Sequence, residues 1–389
     1  MAVSMKKILF ISNLSNRIGS FSLASINAAK ACNLEFHHAA NWSNAASEQM
    51  VSDEREYGIY IHHLDLARSP LSRKNITAFK QLVKLIENEN IDYIHCNTPV
   101  GGLLGRLAAK KCGIKKVIYQ AHGFHFYRGA PKLNWLLYYP VERWLARWTD
   151  VLITINQEDF ALARRFKLRG EGKTYYVRGV GIDLAQWNVQ VDRDKVRREV
   201  GLNQDQMMLI SMGDLIRRKD YETAIRAIAA AHDQRLQYYI CGKGPMEEKL
   251  RALCENLQVT DQVHFLGYRQ DIKELLQAAD LFLFTSRQEG LARSLMEAMA
   301  SGLPAVCTQI RGNVDLIEDG VGGYLVPVGD SKAFAEKITI LAADREKAQQ
   351  MGRANREKIK RYSLETVEAE LQSIYETLLN RAPGGGEAG

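Results

Sequence analysis

Short apolar runs alternate with amphipathic stretches along nearly the whole chain, and this alternation constrains the fold more than any single motif. The runs at residues 7–13, 34–39, 59–64, 93–97, 117–121, 151–155 and 174–177 are too short for buried helices, so each reads as a buried strand. Helical periods such as 76–87 and 103–111 separate them. The rhythm resumes with strands at 207–212, 238–241, 263–266, 281–285 and 306–311, and with helices at 195–200, 246–257, 292–300, 331–343, 346–361 and 364–379. Strands joined by helical crossovers lie parallel, and a parallel sheet needs helices on both faces. The expectation is an α/β chain of doubly wound sheets. At 389 residues there is room for two such domains. The glycine-containing polar stretch 179–188 reads as their hinge, which sets domains at 1–184 and 189–362, and the Pro/Gly-rich end, 382–389, reads as a disordered tail. Ligands of such sheets gather at the C-terminal ends of strands, so the loops after strands are where function should sit.

Charge narrows the choice of partner. The formal net charge is +7, with 25 Lys and Arg against 15 Asp and Glu in residues 1–185, and 27 against 30 in the remainder. A basic first half suits an acidic partner such as anionic lipid head groups or a diphosphate. Its cations are dispersed instead of gathered in one stripe, which argues against nucleic acid. The six cysteines, at 32, 96, 112, 241, 254 and 307, form no C-x-x-C pair and sit in apolar runs, as expected of reduced thiols in the cytoplasm. No apolar run reaches the roughly 18 residues a membrane span needs, and the run after Lys7 is too short for a signal peptide.

Candidate chemistry concentrates in residues 281–302, LFLFTSRQEGLARSLMEAMASG, a strand, a loop and a helix. Glu289 lies before the helix and Glu297 two turns into it, a backbone separation of roughly 10 to 12 Å, about the span from the sugar to the ribose of a nucleotide-sugar. Gly290 follows the first acid, and the N–H groups of Leu291, Ala292 and Arg293 at the helix start suit a diphosphate. An acidic helix start with a solvated Glu297 explains the same pattern. Arg217, Arg218 and Lys219 place three cations beyond the strand 207–212, where they can neutralise a diphosphate. Gly242 and Gly244 form a G-x-G-P turn, explained either by close approach to a nucleotide or by the turn alone. Asp192-Arg193-Asp194 opens a charged helix and reads as a solvated helix start, not a metal-binding D-x-D.

In the first half, the loop from Asn13 through Gly19 lacks a G-x-G-x-x-G fingerprint, which argues against a dinucleotide site and leaves a turn glycine as the simple explanation. His122 and His125 follow the fifth strand without a nearby carboxylate or cysteine, so no metal site is expected. Residues 127–148, YRGAPKLNWLLYYPVERWLARW, mix aromatic rings with Arg128, Lys132, Arg143 and Arg147, a composition suited to a membrane interface. Leu137, Val141, Leu145 and Trp148 share one helical face and are assigned to the core, leaving Trp135, Tyr138 and Arg143 free to meet lipid; plain packing of the segment is the alternative reading.

The run E-G-L-A-R-S-L-M-E-A-M-A-S-G-L-P, Glu289 to Pro304, resembles the signature of the family-4 retaining glycosyltransferases of GT-B fold. The resemblance covers nearly the whole chain, and NWSN, YGIYIHHLDLARSP, HCNTPVGGLLGR and AHGFHFYRGAPKLNWLLYYP narrow it to the exopolysaccharide and capsule assembly subgroup of Gram-positive bacteria. It implies two Rossmann-like domains facing across a cleft, with the last helix, 364–380, returning to the first. It implies a metal-independent, retaining hexosyltransferase that needs no cofactor. The donor would be a UDP-sugar, often a UDP-N-acetylhexosamine such as that of GlcNAc, and the acceptor a saccharide on a polyprenyl (undecaprenyl) diphosphate. Such an enzyme is cytoplasmic and peripheral, on the anionic inner face of the cell membrane.

The resemblance also assigns roles. Glu289 would orient sugar hydroxyls, Glu297 would accept from the ribose, Lys219 would face the departing phosphates, and His122 would face the donor sugar. The loop with Asn13 and Gly19, together with His125, would lie by the acceptor and phosphate, and Tyr268 or Arg269 would stack beside the base. Where the family carries an arginine this chain has Asp214, so Arg217 or Arg218 is expected to substitute. Two other readings stay open: a UDP-sugar epimerase or hydrolase of the same fold, and a non-catalytic nucleotide-sugar-binding scaffold. The scaffold would be marked by loss of Lys219 or Glu289, and both are present.

Overall fold

The computed structural model describes residues 5–380, so the tail assigned to 382–389 lies outside the described residues. The chain falls into two compact units, the first running to Gly181 and resuming at Leu364, the second spanning Ile182–Ser363.

The first unit holds strands β1 (Lys6–Leu14), β2 (Leu34–Asn41), β3 (Tyr60–His63), β4 (Tyr93–Asn97), β5 (Val117–Ala121), β6 (Val151–Thr154) and β7 (Lys173–Tyr176). They form one parallel sheet in the order β3-β2-β1-β4-β5-β6-β7. Successive side chains of a strand point to opposite faces, and both faces here are covered. In β1, Leu9 and Ile11 enter a core with Leu82 and Leu104, while Ile8 and Phe10 enter a second core with Ile26 and Val367. The helix Leu364–Asn380 supplies Val367, Leu371, Ile374, Tyr375 and Leu378 to that second core. The Tyr375 hydroxyl donates to Nδ1 of the buried His95 at 2.7 Å, and His95 Nε2 donates to Gln120 Oε1 at 3.1 Å.

The second unit holds β8 (Met207–Met212), β9 (Leu236–Cys241), β10 (Val263–Gly267), β11 (Leu281–Phe284), β12 (Ala305–Thr308) and β13 (Gly323–Val326), parallel in the order β10-β9-β8-β11-β12-β13. Met208 and Ile210 pack with Phe282 and Leu295 on one face, Leu209 with Leu283 and Ile225 on the other. Two features differ from the sequence expectation. The strand expected at 306–311 stops at Thr308, where the Ile310 N–H turns back to the Thr308 carbonyl at 2.9 Å, so Arg311 is released into a loop. The edge strand β13 went unread because only its ends are buried and it begins at Gly323. Gly323 is required there, since a Cβ would stand 1.8 Å from the Ala305 carbonyl oxygen at a φ of +150°.

In each sheet the strand order reverses once, between β1 and β4 and between β8 and β11. Loops leaving strands on either side of such a reversal diverge and open a crevice.

The first sheet buries neutral imidazoles. Burial, with His62 nearby, pushes His38 down to about 3, and burial beside His122 does the same to His95. Between about pH 3 and the ordinary histidine value near 6.5, the unfolded chain therefore binds more protons than the folded one, and stability must rise with pH. The full contribution is present above about pH 6.5 and is lost as pH falls. Denaturant midpoints should decline from pH 7 to pH 5, above the carboxylate range, and the decline should be shallower in His38→Gln. A level midpoint across that interval would contradict the buried neutral state.

Candidate active site

The strand reversal in the second unit is occupied by charge. After β8 the chain passes Gly213 and Asp214 into a single turn, Arg217–Lys219, and leaves it at Asp220 in the left-handed region, φ +51°. That unfavoured backbone is held from both sides. The Asp220 carboxylate accepts from Thr223 Oγ1 at 2.8 Å and Arg287 Nε at 2.9 Å, while the Asp220 carbonyl accepts from Thr285 Oγ1 at 2.8 Å. Because Thr285 and Arg287 follow β11, the two loops on either side of the reversal are tied together.

The tie brings three donors onto one oxygen. Glu289 Oε1 accepts from Ser286 Oγ at 2.7 Å, Arg218 Nη1 at 2.8 Å and Lys219 Nζ at 2.9 Å. Arg218 also donates to the Gln288 carbonyl at 2.6 Å, and Lys219 lies over the Phe284 ring, 4.9 Å from its centre. Arg311, buried, donates through Nε to the Glu289 carbonyl at 3.0 Å. Arg217 makes no side-chain hydrogen bond or ion pair among the described residues, so Arg218 is the arginine that joins Lys219. One carboxylate between two cations leaves a net positive charge at the mouth of a parallel-sheet crevice, where an anionic group is favoured.

The remaining candidate residues of this unit lie on several other segments. The helix Arg293–Ala300 starts one residue later than expected, because Ala292 is extended and serves as its N-cap. Leu291 and Ala292 lead into it, and Glu297 Oε1 accepts from Arg293 Nε at 2.8 Å. Glu297 is not solvated: burial raises its carboxyl above the ordinary range, with Arg293 opposing the rise. At Gly312, φ +79°, a Cβ would stand 2.4 Å from the Gly290 carbonyl oxygen, so the loop bearing Arg311 packs directly on the turn bearing Glu289. Gly242 and Gly244 serve the packing of two loops. A Cβ at Gly242 would stand 2.0 Å from the Gly213 carbonyl oxygen, and one at Gly244 would stand 2.5 Å from that of Leu215. Tyr268 is 75% exposed, while Arg269 is held by Asp271 through two hydrogen bonds, 2.8 and 2.5 Å. Asp192 caps the helix Arg193–Glu199 by accepting from the Lys195 N–H at 2.9 Å.

At the reversal in the first unit the polar side chains nearest the strand ends are Asn13, Asn97 and His122. Asn13 lies near the end of β1, its Oδ1 buried with no hydrogen-bond partner among the described residues. Gly19 caps the helix Ser20–Ala31, with open space where a Cβ would be. Asn97 ends β4, and His122 follows β5. His122 Nε2 donates to Asn97 Oδ1 at 2.9 Å, and Phe21 covers the imidazole with ring centres 4.6 Å apart. Burial pushes His122 down to about 4, so at neutral pH it is an uncharged imidazole whose Nδ1 is the acceptor. His125 turns elsewhere, stacking on Tyr138 at 4.6 Å.

That stack corrects the assignment of faces on the helix Lys132–Leu145. Trp135 and Tyr138, expected to meet lipid, face inward: the Trp135 indole N–H donates to the Tyr127 carbonyl at 3.2 Å, and its ring packs on Phe126 at 5.6 Å. Leu137 and Val141, expected in the core, are exposed; Leu145 is buried and Arg143 exposed as expected. Broad rings with polar tips close over Phe124, Phe126 and Phe166 while satisfying the Tyr127 carbonyl, which aliphatic side chains cannot do. Sequence reasoning also passed over Ser286, Arg311 and Asn97, whose only signal was position at or shortly beyond a strand end, and Asp220, which lies between the cation turn and the next helix. The pairing of His122 with Asn97 is open to test: in Asn97→Asp a carboxylate would favour the imidazolium, and the NMR titration of His122 should move up by at least about one pH unit. An unmoved titration would mean the two side chains do not meet in solution.

Models of two sequence families match the chain, "Glycosyl transferase 4-like" over residues 7–156 and "Glycosyl transferases group 1" over residues 192–358. EpsD of Bacillus subtilis, named as a glycosyltransferase, is 35% identical over 381 residues, covering 96% of this chain and 97% of its own. The UDP-Gal:alpha-D-GlcNAc-diphosphoundecaprenol alpha-1,3-galactosyltransferase of Escherichia coli is 26% identical over 278 residues, 70% of this chain and 72% of its own. Among solved structures, Anabaena HepE in complex with UDP superposes with a TM-score of 0.78 at 21% identity, covering 95% of this chain and 100% of its own; HepE is also solved with UDP-glucose. With both units matched and a relative at 35% identity along nearly the full length, the chain belongs to the glycosyltransferases of GT-B fold, family-4-like in its first unit and group 1 in its second.

Proposed function

We propose that this glycosyltransferase moves a sugar, an N-acetylhexosamine such as GlcNAc, from a UDP-sugar to a saccharide carried on a polyprenyl diphosphate at the inner face of the cell membrane, in exopolysaccharide or capsule assembly. The observation that carries this reading is the meeting of Arg218, Lys219 and Ser286 on one oxygen of Glu289 at the strand reversal. The UDP and UDP-glucose bound by HepE support the donor, and the diphosphoundecaprenol acceptor named for the Escherichia coli relative supports the acceptor class.

Transfer of a glycosyl group breaks the bond between the anomeric carbon and the diphosphate, so negative charge grows on the leaving phosphate as the sugar becomes oxocarbenium-like. The heaviest electrostatic demand is on that phosphate, and fixed cations meet it best where water is excluded. Lys219 and Arg218 supply them without a metal, their positions preset by Glu289. Glu289, committed to these donors, holds sugar hydroxyls and is not a free nucleophile. Double displacement needs a carboxylate pair about 5 Å apart, which the sequence motifs do not imply, so the reading is departure and attack on the same face, the acceptor hydroxyl's proton passing to the leaving phosphate. Glu297 accepts from ribose hydroxyls. His122, neutral at working pH, contributes a hydrogen bond and not a charge.

The test is release of UDP from each UDP-sugar with and without a short-chain lipid-diphosphate saccharide. Release that depends on the acceptor supports the transferase; equal release without it points to an epimerase or hydrolase, and binding without turnover to a scaffold. Glu289→Ala and Lys219→Ala should each lose at least about a hundredfold in turnover, the usual cost of removing a key electrostatic group. Arg218→Ala should be impaired more than Arg217→Ala. Excess EDTA should leave the rate unchanged, and NMR of the product should show the donor's anomeric configuration kept. Near wild-type turnover in both Glu289→Ala and Lys219→Ala would place the site elsewhere.

A further inference from the structure

The outward face of the helix Lys132–Leu145 is apolar. Leu133, Leu136, Leu137, Pro140, Val141 and Trp144 are all exposed, Leu136 at 71% and Trp144 at 45%. Their spacing is that of one helical stripe, so they form a single ridge along about 16 Å of helix. Soluble surfaces ordinarily scatter such residues singly, and a contiguous ridge marks a contact surface. The helix already has its core contacts, through Trp135, Tyr138, Tyr139 and Leu145 on the opposite side. The ridge is therefore surplus to folding.

Charge identifies the occupant. The cations Lys132, Arg143 and Arg147 are exposed along this helix and its continuation. The one acid of the segment, Glu142, is turned inward, paired with the buried Arg106 at 2.9 Å and accepting from the Tyr119 hydroxyl at 3.2 Å. The outward surface thus carries apolar residues and positive charge with no acid of its own. A shallow cavity lined by Tyr139, Pro140, Arg143, Trp144 and Arg147 lies where the ridge meets the arginines. Pairing with a second copy would bring like charges together, and nothing on this face would offset them. An anionic bilayer offers a hydrocarbon boundary for the ridge and phosphates for the cations at the same depth.

We propose that this helix lies flat on an anionic membrane, with Leu133, Leu136, Leu137, Val141 and Trp144 at the boundary between head groups and acyl chains and with Arg143 and Arg147 on lipid phosphate. The inference rests on the membrane location proposed above and specifies the surface that achieves it. The helix is short and interfacial, and among the described residues no helix is long and apolar enough to cross a membrane.

The test uses the full chain and vesicles of phosphatidylcholine with and without about one-third phosphatidylglycerol. Wild type should sediment with the anionic vesicles, weakly with neutral ones, and less as salt rises. Leu136→Glu/Leu137→Glu and Arg143→Ala/Arg147→Ala should each weaken binding at least about tenfold. Both variants should keep wild-type circular dichroism and wild-type UDP release with a water-soluble acceptor, since these residues are exposed and outside the charged site. Unchanged vesicle binding in both variants overturns this surface while leaving the membrane location standing. No binding by wild type overturns both, while acceptor-dependent UDP release still reports on the transferase reading by itself. Loss in Leu136→Glu/Leu137→Glu of a concentration-dependent dimer, without any vesicle effect, would assign the ridge to a second copy.

Discussion

One carboxylate oxygen organises the charged end of the second unit. Ser286, Arg218 and Lys219 all donate to Glu289 Oε1, from loops that leave different strands. Lys219 is largely buried beside the exposed Arg218, and a buried cation next to a like charge persists only when a counter-charge holds it, because desolvation without pairing is costly. Glu289 is that counter-charge. The Thr285 hydroxyl donates to the Asp220 carbonyl and the Arg287 N–H to the Arg218 carbonyl, so the geometry is set by backbone and not by long flexible side chains alone. The left-handed Asp220 is the strained element of this arrangement, and its three partners are what keep it in place.

The two sheets use one topological device for two chemistries. Where β8 gives way to β11, the reversal is filled with cations about a carboxylate; where β1 gives way to β4, it is filled with Asn13, Asn97 and a neutral His122. The first arrangement suits a diphosphate whose charge grows during reaction. The second suits hydroxyl groups, which need donors and acceptors but no compensating charge.

Much of this was legible along the chain. Most strands stand within a residue or two of where the apolar runs end, because strands of a parallel sheet are buried on both faces and leave an unbroken apolar signature. The edge strand β13 has half-buried Tyr324 and Leu325 and left no such signature. Glu289 and Lys219 were visible as charged residues in the segments that follow strands, and His122 through the family resemblance. Ser286, Arg311 and Asn97 occupy equivalent positions, but nothing in their residue types distinguishes them from ordinary loop and cap residues. Only the packing of Gly312 against Gly290 shows why Arg311 reaches the Glu289 carbonyl.

The helix Lys132–Leu145 shows where one-dimensional reasoning stops. Its sequence contains two candidate stripes, one of aromatic rings and one of aliphatic side chains, and helical spacing treats them alike. What decides between them is the surface each must cover, here a cluster of phenylalanines beside a carbonyl in need of a donor. The sequence by itself determined the two doubly wound sheets, the crevices at their strand ends and the charged residues gathered beyond them, since burial on both sides of a strand and charge at its end are local patterns. Tertiary structure alone decided which arginine joins Lys219, which carbonyls the glycines make room for, and which side of an amphipathic helix meets solvent, because each depends on atoms that are distant in the chain and adjacent only after folding.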